Sequence, residues 1–267
     1  MKTQRLLLMP ALSCLLAGLV GLSAQAAASP LFGRDDLRVT SAARYEASAD
    51  AGDGWRLTDL LVYDASLPFL SSNDTLLFSR EPGWLLTQTA YAASGETDFE
   101  NSSSRAYVTN ETGQVVQVTI QCAEEGTHEK TEHYTFDEAG NISSLVRNGQ
   151  TISLPRDSEG RITGSALIAA AYDEDGRITG WQQTDTGTIG YAVYDARGAL
   201  SQVTLVTGAS LRAEYYFYDS QGYLRECFEY YNLGQPACHL TLYDYGEGNA
   251  ALEAFTPIIP TTGEEAS

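Results

Sequence analysis

One phrase, written five times, constrains this chain more than any other feature. It reads Phe136-Asp137-Glu138-Ala139-Gly140-Asn141-Ile142, Tyr172-Asp173-Glu174-Asp175-Gly176-Arg177-Ile178, Tyr194-Asp195-Ala196-Arg197-Gly198-Ala199-Leu200 and Tyr218-Asp219-Ser220-Gln221-Gly222-Tyr223-Leu224, with a degenerate copy at Arg156-Asp157-Ser158-Glu159-Gly160-Arg161-Ile162. Successive copies start 16 to 24 residues apart. Each has the chemistry of a β-hairpin turn. Asp accepts hydrogen bonds from the backbone amides just ahead, and Gly supplies the positive φ that closes a three-residue loop with a bulge. With Glu174, Asp175 and Gly176 as the loop, Asp173 faces Arg177 and Tyr172 faces Ile178. Cross-strand pairs of these kinds are worth a few tenths to about 1 kcal/mol. The residues expected to build turns are therefore Asp137, Gly140, Asp157, Gly160, Asp173, Gly176, Asp195, Gly198, Asp219 and Gly222.

Weaker copies lie at Thr109 to Val115 and Ser79 to Leu85, and Tyr243-Asp244-Tyr245-Gly246 resembles a truncated last one. Self-similarity of this period predicts a repeat domain over residues 55–250, each hairpin burying its face on its neighbours. The expected fold is all-β: an antiparallel sheet of consecutive hairpins, twisted and curled because wide flat sheets are unfavourable, with a closed or partly closed barrel as the structural alternative.

The core from Tyr172 to Ile178, echoed at 136, 156, 194 and 218, resembles the YD repeat of rearrangement-hotspot and teneurin-type proteins over roughly residues 105–248. The resemblance implies long antiparallel strands that spiral into a shell. It brings no catalytic residue, and the chain has no room for a full cocoon or an enclosed toxin domain.

Lys2 and Arg5 precede an apolar run from Leu6 to Leu22, and Ser23-Ala24-Gln25-Ala26 ends it in a small-x-small pattern. This predicts a signal peptide over residues 1–26, cleaved near Ala26, and a secreted or periplasmic mature chain. Removing Lys2 and Arg5 takes the net charge from −19 to −21. Such a field repels phosphate backbones and anionic lipid, so no nucleic-acid partner is expected. No other stretch approaches the roughly 20 apolar residues of a membrane helix, so no span is expected in the mature form.

No cofactor or metal is expected. Laid on an EF-hand loop, the Asp173 turn puts Ala171 at the first ligand position and Gln182 at the last, where acids are required. His128 and His133 resemble a zinc-protease pair, but that chemistry needs histidines four apart on a helix, and these are five apart beside a strand. No Gly-x-Ser-x-Gly elbow or phosphate loop appears, and no catalytic residue is assigned.

Cys227 and Cys238 flank a turn near Tyr231 to Gln235. A two-residue loop sets them opposite one another, as a disulfide needs, whereas a three-residue loop Asn232-Leu233-Gly234 sends them to opposite faces. Both outcomes stay open. The aromatic strands around Tyr216 and Tyr230 offer tyrosines that could stack on sugars or grip extended peptides, so these two are the candidate binding residues. Residues 27–54 read as a flexible lead-in with a short helix around Ser41 to Ser48, Ser94 to Ser104 as a polar loop, and 251–267 as a disordered acidic tail.

The expected function is a secreted, non-enzymatic binding or scaffold module whose partner is an unidentified extracellular glycan or protein. An acidic secreted hydrolase using paired carboxylates is one alternative. A shell fragment completed by partner chains is the other.

Overall fold

A computed structural model of the chain describes residues 30–48, 54–123, 129–164, 167–184, 186–232 and 236–246. The expected signal peptide, the tail at 251–267 and His128 lie outside the described residues. In chain order the elements are β1 (Ser41–Ala47), β2 (Trp55–Asp64), α1 (Ser72–Phe78), β3 (Trp84–Tyr91), β4 (Thr97–Thr109), β5 (Val115–Cys122), β6 (Lys130–Phe136), β7 (Ile142–Arg147) and β8 (Gln150–Ser153). They continue with β9 (Leu167–Tyr172), β10 (Ile178–Gln183), β11 (Ile189–Tyr194), β12 (Leu200–Thr207), β13 (Ser210–Tyr218), β14 (Leu224–Asn232) and β15 (Pro236–Asp244). The fold is all-β, a single antiparallel sheet of 15 strands that is not closed into a barrel.

Ser41–Ala47 is a strand, not a helix in a flexible lead-in. Its Ala42, opposite Tyr243 and Leu61, is buried on the core side, so the segment belongs to the sheet. The polar stretch after Ser94 likewise joins the sheet from Thr97 onward as the start of β4, pairing Tyr91 with Thr97.

The five Asp–Gly turns share one geometry. The Asp173 amide donates to the Arg177 carbonyl at 3.0 Å, and the Gly176 amide donates to the Asp173 carbonyl at 3.1 Å. Asp173 Oδ1 accepts from the amides of Asp175 and Arg177 at 3.0 and 2.9 Å. Asp137, Asp157, Asp195 and Asp219 do the same with their own second and fourth following amides. The glycines sit at φ between 76° and 94°, which only glycine adopts without strain.

One residue past each turn the register shifts by one, a β-bulge. The buried positions on the outgoing strand consequently stand three apart: Val115 and Val118, Ile142 and Leu145, Ile178 and Trp181, Leu200 and Val203, Leu224 and Cys227. The repeat tyrosines then tie one hairpin to the one before it. Tyr194 Oη donates to the Ile178 carbonyl at 2.8 Å, Tyr218 Oη to Leu200 at 2.6 Å and Tyr245 Oη to Leu224 at 2.9 Å.

Because every strand is antiparallel to its neighbours, these turns all gather at one end of the sheet, together with α1. Ser71 caps α1, its hydroxyl accepting the Asp74 amide at 3.2 Å, and Leu76 and Leu77 are buried in the core with Leu31 and Val39. The sheet order runs from β8 through β7 down to β1, then β15 down to β9. Strands β7 and β10 are therefore second from either edge, twelve places apart, about 58 Å if the sheet were flat. Yet the adjacent residues Asn73 and Asp74 reach both. Asp74 Oδ2 accepts the Ile142 amide at 2.9 Å, and Asn73 Oδ1 accepts the Ile178 amide at 3.2 Å. The sheet must curl until its two edges approach, with α1 on its concave side. Between β8 and β9 the degenerate repeat leaves only a single bridge, Arg156 with Ile162.

Candidate functional site

Past the cap of α1 and residues 31–39, the concave face carries charge. On β13 the inward residues alternate as Arg212, Glu214 and Tyr216. After the bulge on β14 they are Cys227, Glu229 and Tyr231, which the ladder sets opposite Tyr216, Glu214 and Arg212. Beyond them come His239 and Thr241 of β15 and Arg44 of β1. Arg80, just past the end of α1, reaches in from the side.

These groups form a lattice of ion pairs. Arg80 Nε lies 3.2 Å from Glu214 Oε1 and hydrogen-bonds it. Arg212 Nε lies 2.7 Å from the same oxygen, an ion pair without hydrogen-bond alignment, and its Nη2 is 3.0 Å from Glu229 Oε2. Arg44 Nη2 stands 4.0 Å from the other Glu229 oxygen. Tyr216 Oη donates to Glu214 at 2.5 Å and Tyr231 Oη donates to Glu229. Glu214 is 2% exposed and Glu229 5%. Burial alone would raise the Glu229 carboxyl, but Arg212 and Arg44 outweigh it and hold the group below its ordinary value. Burial, then Glu214, pushes the Tyr216 phenol well up, and burial lowers the His239 imidazole.

A glycoside hydrolase needs one carboxyl that keeps its proton near neutral pH and one that does not. Glu214 and Glu229 face each other across the ladder with Arg212 between them, and Arg212 and Arg44 hold the Glu229 carboxyl below its ordinary value. Among the described residues no group of three or more His, Cys, Asp or Glu could hold a metal ion.

At the end of the concave face away from the Asp–Gly turns lies a cleft of about 410 Å³, lined by residues of β10 to β14 and by Arg80. Arg212 and Tyr231 link it to the ion-pair lattice.

The candidate tyrosines do not form one site. Tyr216 points inward, packs against Phe32 at 5.5 Å between ring centres and is 5% exposed, so it is part of the core. Tyr230 lies opposite Ala213 and Cys238 on the other face and is half-buried. Counting by twos from Leu224 places Tyr230 beside Tyr216. The bulge between Leu224 and Glu226 reverses the faces, and Tyr231 takes the inward position. The signal that finds this is the spacing of three between buried residues after every glycine of the repeat.

The disulfide is corrected too. Asn232 pairs with Pro236, so Cys227 faces Thr241 and Cys238 faces Tyr230. Three residues separate Cys238 from the position opposite Cys227, an odd number, and the two thiols sit on opposite faces, both free. Leu233 and Gly234 of the expected turn lie outside the described residues. The Asp–Gly turn residues, by contrast, are all brought to one end, where they make turns.

No family model matches the chain, and no curated protein does. Among solved structures, it is similar to a chain in the crystal structure of TcdB2-TccC3-Cdc42, at 14% identity and a TM-score of 0.28, over 70% of this chain and 10% of that one. It is also similar to a porin-like protein from Bacteroides uniformis, at 10% identity and a TM-score of 0.39, over 78% of this chain and 96% of that one. This chain spans about a tenth of the length of the first. Likenesses at this level place it in no family.

Proposed function

We propose that the protein is a secreted, non-enzymatic binding or scaffold module built of YD-like hairpins, released from its signal near Ala26, with an extracellular glycan or protein as partner. The supporting observation is the ion-pair lattice. Glu214 and Glu229 are each held by arginine and by a tyrosine hydroxyl, which fixes their geometry. A rigid wall with a cleft at one end suits recognition.

The test sets the mature chain, from residue 27, against chromogenic glycosides and esters and, in parallel, against glycan and extracellular-protein arrays. Saturable binding without turnover is expected. Turnover that Glu214→Gln or Glu229→Gln abolishes would establish the hydrolase instead.

A further inference from the structure

The chain carries 35 acidic residues against 16 basic ones, yet among the described residues no acid lines the cleft at the open end of the concave face. Two arginines do, Arg80 and Arg212, with hydroxyl and amide groups from Gln183, Thr207 and Ser210 and the ring of Tyr231. The carboxylates of Glu214 and Glu229 lie behind these arginines and occupy Arg80 Nε and Arg212 Nε and Nη2. Among the described residues, the Arg80 side chain hydrogen-bonds through Nε alone. The cleft, about 410 Å³, falls within the range of small-ligand sites.

The backbone at Arg80 is unusual for an arginine. Its φ is 51°, in the left-handed region, at the point where α1 ends and its amide donates to the Thr75 carbonyl at 2.7 Å. Helices are commonly closed there by glycine, and another residue costs on the order of 1 kcal/mol. A guanidinium is held at that position at the expense of backbone strain, and it pairs with Glu214 and lines the cleft.

We propose that this cleft binds a carboxylate-bearing sugar of the uronic-acid class, the carboxylate on Arg80 and Arg212 and the hydroxyls on Thr207, Ser210 and Gln183, with Tyr231 against the ring. The inference rests on the binding-module reading and names the ligand of that module. Guanidinium groups take carboxylates in two-point, charge-assisted contacts, and an apolar wall beside clustered hydroxyls matches the alternating faces of a sugar. The same chemistry is offered by a free uronic acid and by the end residue of an acidic glycan.

The test is calorimetric titration of the full mature chain with galacturonate, with a galacturonate trimer and with galactose as the neutral control. Galacturonate or its trimer is expected to bind at least about tenfold more tightly than galactose, as a charge-assisted pair requires, and to weaken as salt is raised. Tighter binding of the trimer identifies a glycan end as the source, and equal binding identifies the free acid. Arg80→Gly separates site from scaffold, because glycine suits the backbone at φ 51° and Glu214 keeps Arg212. It should still fold, with some loss of thermal stability because Glu214 gives up its Arg80 hydrogen bond, and lose about tenfold in affinity. Thr207→Val, close in shape, should lose a few-fold.

Equal affinity for galactose and galacturonate, no binding of any of the three, or full binding by Arg80→Gly overturns the proposal. Cleavage of the trimer with binding intact would instead leave the cleft's ligand class standing and remove the non-enzymatic reading.

Discussion

At the scale of one residue, the repeat aspartate does two separable things. Its Oδ1 accepts two backbone amides, and its Oδ2 meets an arginine where one is available, as in Asp173 with Arg177 at 2.7 Å. Asn110 shows the first task without the second, accepting the amides of Thr112 and Gln114 at 3.0 and 2.9 Å. Asp173→Asn should therefore keep the turn, whereas Asp173→Ala should cost about 1 kcal/mol, the usual loss when a side-chain cap is removed. The two also differ in pH response. Burial pushes the Asp173 carboxyl up, but the Arg177 amide and guanidinium together outweigh it and hold the group below its ordinary value of 3.8. A depressed carboxyl adds stability that is complete above its unfolded value and disappears as pH falls through its folded one. Urea unfolding at pH 7 and pH 3 should accordingly show a smaller loss for Asp173→Asn than for the natural chain. Equal losses would mean that Arg177 contributes nothing.

At the scale of the element, the hairpin phase was legible in the sequence because Asp and Gly are chemically committed to their positions. Tyr172 opposite Ile178 and Tyr218 opposite Leu224 follow directly from the loop count. The faces beyond the turn were harder to read, because one bulged residue reverses them and the spacing of three between apolar residues is its one trace. That single step puts Tyr216 and Tyr230, the two candidate binding residues, on opposite faces and brings Tyr231 to the inward one. The role of the repeat tyrosine was also half visible: its ring pairs across the strand, but its hydroxyl serves the preceding hairpin, a contact no local pattern contains. Tyr218→Phe removes the donor to the Leu200 carbonyl and should destabilise the protein by about 1–3 kcal/mol. Tyr191→Phe, on a tyrosine that is 53% exposed, should stay within about 0.5 kcal/mol. Indistinguishable denaturation midpoints for the two would remove the inter-hairpin bond from the account.

At the scale of the whole molecule, the curled sheet is held at its seam by side chains. Asp74, fully buried, takes the amide of Ile142 from one flank and pairs with Arg156 of the degenerate repeat at 2.6 Å, while Asn73 takes the amide of Ile178 from the other flank. Sequence alone could not place these contacts, since they join residues 68 to 105 positions apart. Asp74→Ala leaves the buried Arg156 guanidinium with the Gly160 and Ile142 carbonyls and with Asp137 at 3.8 Å, and should cost about 3 kcal/mol. Hydrogen exchange should quicken first in β7, β8, β9 and β10, with β12 to β14 changing least. A uniform change across the sheet would show that α1 does not hold the seam.

The strand count decides how that seam can close. In a wholly antiparallel sheet, alternate strands point the same way, so the first and last of an odd number share a direction. With 15 strands, β8 and β9 run alike, and they could zip together only as a parallel pair, out of keeping with every other ladder in the molecule. One more strand of opposite sense would satisfy both edges. The degenerate repeat begins that strand, with Ile162 bridging Arg156 and the Thr163 amide donating to the Pro155 carbonyl at 2.8 Å. Among the described residues the sheet is one strand short of an even, uniformly antiparallel wall, and the degenerate copy of the repeat marks where such a strand would start.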